Sequence, residues 1–238
     1  MTNQAARRVL IPGGNGAVGE GAVRAYLATG AEVVVPTRTE QRADEFRELL
    51  GDAATGHLHL FAHDYSTFEG AEALAVTMQD RLGGIDDVVA PIGGWWAGKR
   101  LWEIDAADWD DAFTGLATTH MAVARAVMPR LSGRGAYAIV VGESAAYPVP
   151  GSGLVSMEQA AVLMMQRVLA AEAGDEKRIH ALVLGPVRTR LVAGEASWVS
   201  AEQVGAVAVA LSRSPGESSR EVSLRTGADA ELILARLA

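Results

Sequence analysis

The sequence predicts an α/β protein: a Rossmann-type, doubly wound sheet of seven parallel strands with helices on both faces. Three observations predict it. Short β-branched runs alternate with longer stretches of helical period along the chain. A cluster of glycines joins the first such run to the first helical stretch. The chain has 238 residues, 49% of them hydrophobic, enough for one large core and short for two ordinary domains.

The strands are expected at Val9 to Ile11, Val33 to Val35, Leu58 to Ala62, Asp87 to Ala90, Ala138 to Val141, Ala181 to Leu184 and Val222 to Leu224. Helices are expected to fill the gaps at Gly19 to Thr29, Thr39 to Leu50, Phe68 to Leu82, Ala107 to Leu131, Val155 to Ala173 and Ala201 to Ser212. No linker, repeat or low-complexity tract divides the chain, so 1–238 reads as one domain. The stretch Thr189 to Val199, with Gly194 and Trp198, reads as a substrate lid.

Composition excludes several classes. Twenty-nine acidic against 21 basic side chains give a formal charge of -8, which leaves no sequence-wide attraction to nucleic acid or anionic membranes. No apolar run is long enough for a spanning helix, and Met1 to Arg8 lacks the pattern of a secretory leader, so a cytoplasmic protein is expected. Without cysteine there is no thiolate metal site, disulfide or cysteine nucleophile, and no metal is expected. Lys99 and Lys177 are the only lysines, which restricts the available acid–base chemistry.

The glycine cluster lies in Val9-Leu-Ile-Pro-Gly-Gly-Asn-Gly-Ala-Val-Gly19. In a strand-to-helix turn Gly13 permits the tight reversal, Gly16 lets backbone approach a pyrophosphate, and Gly19 allows close helix packing. Asn15 and Val18 complete the turn at the helix N-terminus. The second strand ends Val35-Pro36-Thr37-Arg38. An NAD site carries an acid there for the ribose hydroxyl, whereas a guanidinium suits a 2′-phosphate. Arg38 and Thr37 therefore favour NADP(H).

In this order the motifs resemble the short-chain dehydrogenase/reductase family over essentially the whole chain. Pro12 to Gly19 is similar to the family's glycine-rich turn, in the spacing of its divergent members. Asp64, followed by Tyr65, looks like the residue that contacts adenine. Ala90-Pro91-Ile-Gly93 occupies the place of the family's Asn-Asn-Ala-Gly. Leu184-Gly185-Pro186-Val187-Arg-Thr189 is similar to its Pro-Gly-Pro-Val-x-Thr beside the nicotinamide. Trp109 aligns with a Trp at the start of the fourth helix.

The resemblance implies a Tyr and, four residues later, a Lys on one helix face. Registering Gln159-Ala-Ala-Val162 on the family's Lys-Ala-Ala-Leu puts Val155 at the Tyr position and Gln159 at the Lys position. Counting from Trp109, Leu116 falls where the family has Asn. Val offers no proton, and Gln can hydrogen-bond a ribose but carries no charge. Ser144 matches the family's substrate-orienting serine.

The candidates for replacement chemistry are Ser144 and Tyr147, the latter in the loop from Ala145 to Gly153. Expected substrate contacts are Trp95 and Trp96 after the fourth strand, His120 one turn beyond Leu116, Val155, and Trp198 in the lid. Strand alternation turns Glu143 opposite Ser144, and Glu158 is expected to face away from Val155. The long helices carry Ala122, Ala126, Ala160, Ala161, Val162, Met164 and Met165, which suggests a homodimer or homotetramer packed through them.

Three functions remain open on these residues. The first is an atypical NADP(H)-dependent oxidoreductase acting on a small carbonyl, imine or enone. The second is a non-redox cyclase, dehydratase or isomerase on the same scaffold. The third is a non-catalytic cofactor-binding protein.

Overall fold

The computed structural model describes residues 6–214 and 218–238, and no side chain is described for Arg134. The first part of the segment read for a leader, residues 1–5, lies outside the described residues. The seven predicted strands form one parallel sheet in the order β3-β2-β1-β4-β5-β6-β9. They are β1 (Arg8–Leu10), β2 (Glu32–Thr37), β3 (Leu58–Ala62), β4 (Ile85–Ala90), β5 (Leu131–Gly142), β6 (Arg178–Leu184) and β9 (Glu221–Leu224). Two further strands, β7 (Val187–Arg188) and β8 (Val199–Ser200), make a small separate ladder.

The chain winds from β1 outward through β2 to β3, then returns past β1 to β4. This reversal opens a crevice at the carboxyl ends of β1 and β4, where open α/β sheets bind their ligands. One sheet face buries Val9, Val33, Leu182 and Val222 against α1 (Gly19–Leu27), α7 (Ala201–Arg213) and α8 (Gly227–Leu237). The other buries Leu10, Val88, Tyr137 and Ile139 against α3 (Phe68–Leu82), α5 (Gly115–Val127) and α6 (Gly153–Ala173). The β-branched runs are hydrophobic on both sides because both faces are covered.

Helix starts follow the sequence. α2 (Glu40–Leu50), α3, α7 and α8 begin on Thr39, Thr67, Ser200 and Thr226, whose hydroxyls each accept a first-turn backbone N–H. The helix α8 was not anticipated, although Thr226 and Asp229 spell its capping box. The stretch Ala107 to Leu131, expected as one helix, is α4 (Ala106–Trp109), a π turn over Asp110–Thr114, α5, and a 3-10 turn.

Gly19 was expected to allow helix packing, but a Cβ there would collide with the Gly13 carbonyl inside the turn. Gly21 serves the packing: a Cβ on it would strike the Ala201 carbonyl of α7. Ala122, Ala126 and Val162, expected in an oligomer interface, are buried in the protein's own core, whereas Met157, Met164 and Val168 remain exposed. Among the described residues no helix is long and apolar enough to cross a membrane.

Candidate active site

A cavity of about 350 Å³ opens at the crevice. The glycine turn contributes Gly16, Val18 and Gly19, and the segment after β4 contributes Pro91 to Trp95. The end of β5 adds Gly142 and then Ser144, α6 adds Val155 and Gln159, and the end of β6 adds Leu184, Gly185 and Val187. Segments far apart in sequence thus meet around one space. Ser144 carries the only hydroxyl among the lining residues, and none of them is ionisable.

The turn is shaped to receive an anion. Gly13 has φ +85°, and a Cβ there would come within 2.5 Å of the Pro91 carbonyl, so the reversal packs directly on the segment that follows β4. A Cβ on Gly16 would meet nothing except the Gly13 carbonyl at 3.1 Å, leaving the outward side of the turn open. Val18, at the N-cap of α1, supplies no side-chain cap, in contrast to the hydroxyl-capped helices. The N–H groups of Glu20 and Gly21 donate to the Gly16 and Val18 carbonyls at 2.9 and 3.2 Å, so an anion is favoured by the positive end of α1 and the open side of Gly16, and the chain fits a dinucleotide there.

Around the adenosine end the expected residues divide. Arg38 is exposed at the end of β2. The Asp64 carboxyl is held below the usual range, chiefly by its hydrogen bonds from Ser66 (2.7 and 2.9 Å), with the charge of Arg38 adding to the effect. Tyr65 shares a hydrogen bond with the Gly13 backbone, and burial raises its phenol. Thr37 does not serve as expected: it is buried and its hydroxyl donates to backbone carbonyls of Thr39 and Phe61. Asn15 faces a separate small pocket with Arg42 and Arg190.

Beyond β6, Pro186 is exposed and Thr189 closes its own turn, its hydroxyl accepting from the N–H groups of Leu191 and Val192. The stretch read as a lid is fastened at both ends by the β7–β8 ladder and by the bridge from Trp198 to Thr226. Trp198 does not line the cavity; its ring lies against Gly194.

Two other expected contacts, Trp96 and His120, and the candidate acid Tyr147 are also directed elsewhere. Trp96 donates its ring N–H to Asp108 at 3.2 Å. His120 is fully buried, with Nε2 donating to the Ile92 carbonyl at 2.9 Å, so it supports the wall without reaching the cavity. Burial holds its imidazole down to about 4. Tyr147 lies outside the cavity, its ring half-covered by Arg225 and its hydroxyl accepting from that guanidinium at 3.2 Å. Arg225 also pairs with Glu143 at 3.2 Å. Arg225 follows β9, 78 positions beyond Tyr147, a separation across which no local pattern could have signalled the contact.

Gln159 is the most constrained residue of the wall. Its Oε1 accepts from the Gly142 N–H at 2.5 Å, and its Nε2 donates to Oε2 of Glu158 at 2.6 Å. Glu158, expected to face away from Val155, is fully buried on the inner side of α6. The signal was present in the spacing, since residues three apart share a helix face. Burial pushes its carboxyl up to about 7, against the opposing effect of the Gln159 hydrogen bond.

A family model described as enoyl-(acyl carrier protein) reductase matches residues 14–217. The uncharacterized oxidoreductase YvrD of Bacillus subtilis (strain 168) is 25% identical over 188 residues, 78% of this chain and 70% of that protein. The cis-2,3-dihydrobiphenyl-2,3-diol dehydrogenase of Paraburkholderia xenovorans (strain LB400) is likewise 25% identical, over 77% of this chain and 66% of that protein. The matched stretch therefore spans about two thirds of these relatives' own length. An alcohol dehydrogenase from Thermococcus sibiricus, solved with 5-hydroxy-NADP, superposes with a TM-score of 0.80 at 21% identity, covering 93% of this chain and 97% of that one.

Proposed function

Since the chain belongs to the short-chain dehydrogenase/reductase family, we propose that it is an NADP(H)-dependent oxidoreductase of a small organic substrate that works without the family's Tyr/Lys dyad. One observation carries this reading: the glycine turn and the Ser144, Val155 and Gln159 wall enclose a single cavity. NADP(H), when bound, supplies or accepts a hydride. Gly13, Gly16, Val18 and Gly19 would hold its phosphates, with Asn15 on the side of the pocket it shares with Arg42 and Arg190, Arg38 at the 2′-phosphate, and Asp64 and Tyr65 at the adenine. Ala90, Pro91, Gly185, Pro186, Val187 and Thr189 would border the nicotinamide, and Gln159 the ribose.

Val155 takes the position of the family's tyrosine and Gln159 that of its lysine, so this wall has no proton to give. Ser144 orients the substrate oxygen by donating its hydroxyl hydrogen as charge grows there. The rest of the wall is apolar or backbone, and Trp95, 78% exposed at the mouth, offers a flat apolar surface to the substrate. With no acid lining the cavity, the balancing proton comes from water or from the substrate itself.

Val155 and Gln159 at the dyad positions also leave a second reading, a non-redox isomerase, cyclase or dehydratase in the same cavity, with water or the substrate moving the proton. Nicotinamide absorbance followed against carbonyl, imine and enone compounds separates the two. Consumption of NADPH with product formation supports the oxidoreductase. Turnover at constant absorbance, retained in a variant unable to bind nucleotide, replaces it with the non-redox enzyme. Exposed Met121, Met157, Met164 and Val168 on α5 and α6 support assembly as a homodimer or homotetramer. A solution mass equal to one chain at tens of micromolar would overturn that assembly.

A further inference from the structure

The inner side of α6 holds polar groups that the proposed reaction does not use. Glu158 is completely buried, its Oε2 accepts from Gln159, and its Oε1 has no hydrogen-bond partner. The nearest cationic candidate is His120 Nε2, 3.9 Å from Oε1, yet that nitrogen already donates to Ile92. His120 Nδ1 is also unpartnered. A carboxylate with one unpartnered oxygen in a buried site is costly, and burial favours the neutral acid.

We propose that Glu158 is a positioning residue for nucleotide binding: as a neutral acid it clamps the Gln159 amide, whose carbonyl end is fixed on the Gly142 N–H, so that the amide's remaining N–H serves the ribose side of the cavity. This inference rests on the cofactor reading above and adds a protonation state to it. The clamp is geometrically complete, because each end of the planar amide has its own partner, at 2.5 and 2.6 Å. Loss of the Glu158 proton creates an uncompensated anion beside an amide with a second N–H to offer. That anion draws the amide, or water, toward itself and away from the nucleotide.

Among the described residues on the elements packed against α6, no other group accounts for such a titration; Tyr137 of β5 is fully buried and burial raises its phenol. His120 on α5 is held down to about 4 and stays neutral through the neutral range. Asp110 and Asp111 of the π turn are exposed, Arg125 of α5 is exposed and lies over Phe68, and Glu143 is paired with Arg225. On β6, His180 is also held down to about 4, by burial and then by the charges of Arg178 and Arg220. Gln159 is the single side chain besides burial that acts on Glu158.

Two readouts test the proposal on the full chain. The first is the side-chain amide resonance of Gln159, assigned by its disappearance in Gln159→Leu and followed between about pH 5.5 and 8.5 without nucleotide. It should titrate with a midpoint near the value of about 7 that burial gives Glu158, and it should not titrate in Glu158→Gln. The second is the dissociation constant of NADPH, which should weaken about tenfold by pH 8 in the parent and show no such step in Glu158→Gln.

An amide that does not titrate in the parent overturns the proposal, and this result needs no variant to fold. An amide or an affinity that titrates identically in Glu158→Gln also overturns it. Absence of NADPH binding at every pH removes the cofactor reading, and with it the nucleotide role, while the amide titration still decides whether Glu158 controls Gln159.

Discussion

The half of the cavity made by β1, α1 and β4 and the half made by β5 and α6 place different demands on the sequence. The first works through backbone: a reversal at Gly13, an open approach at Gly16 and an uncapped helix end at Val18. The second works through side chains, and there the positions that face the cavity carry Ser144, Val155 and Gln159. Backbone geometry tolerates few substitutions, because an added Cβ collides with a carbonyl. A side-chain wall can exchange its chemistry while keeping its shape. The two halves can therefore be altered separately, the glycine turn through its backbone and the facing wall through its side chains.

Changes in each half should have separable consequences. The largest effect is expected for Ser144→Ala, a fall in turnover of about a hundredfold to a thousandfold, since one donor to a developing oxyanion is worth that much. Binding of NADPH should be unaffected, and steady-state kinetics beside calorimetric titration would check both. Gly19→Ala should do the reverse. Its Cβ meets the Gly13 carbonyl, and overpacking of about 1–3 kcal/mol should weaken NADPH by roughly tenfold to a hundredfold.

Stability against pH sharpens the comparison from below the cavity. The Glu158 carboxyl is raised in the folded protein to about 7 from an ordinary 4.5. Its contribution is therefore complete below the unfolded value and is lost as pH rises through about 7. Glu158→Gln should be more stable than the parent at pH 8, by up to about 3 kcal/mol, and lose that advantage near pH 4. Denaturant titrations at the two pH values measure it. His120 and His180, held down to about 4, act oppositely: stability falls as pH drops from about 6.5 through 4.

Tyr147→Phe should have the smallest effect, less than about twofold in turnover. The hydroxyl it removes faces Arg225 outside the cavity, and an exposed pair of this kind contributes ~0–1 kcal/mol. A hundredfold fall would instead return Tyr147 to the reaction as its acid.

Much of the fold was legible because its signals are local. The seven strands announce themselves as β-branched runs covered on both faces, and Gly13, Gly16 and Gly19 mark their turn by spacing alone. The helix α8 escaped notice although Thr226 and Asp229 encode its start, because no hydrophobic strand follows to frame it. The site was less legible where partners are distant in sequence. Nothing near Tyr147 reveals Arg225, nothing near Thr37 reveals the Phe61 carbonyl, and nothing near Trp96 fixes the orientation of its ring toward Asp108. Glu158 is a different case: it is expected to face away from Val155, whereas its three-residue spacing from Val155 puts it on the same, inner side of α6.

The proposed preference of the glycine-built half for NADP(H) over NAD(H) rests on Arg38, exposed at the end of β2. Calorimetric titration of the parent and of Arg38→Asp with NADPH and NADH tests it most directly. The parent should bind NADPH at least about tenfold more tightly than NADH, the worth of one charge-assisted phosphate contact, and Arg38→Asp should reverse that order. Equal affinities in the parent, or no heat from either nucleotide, would contradict it.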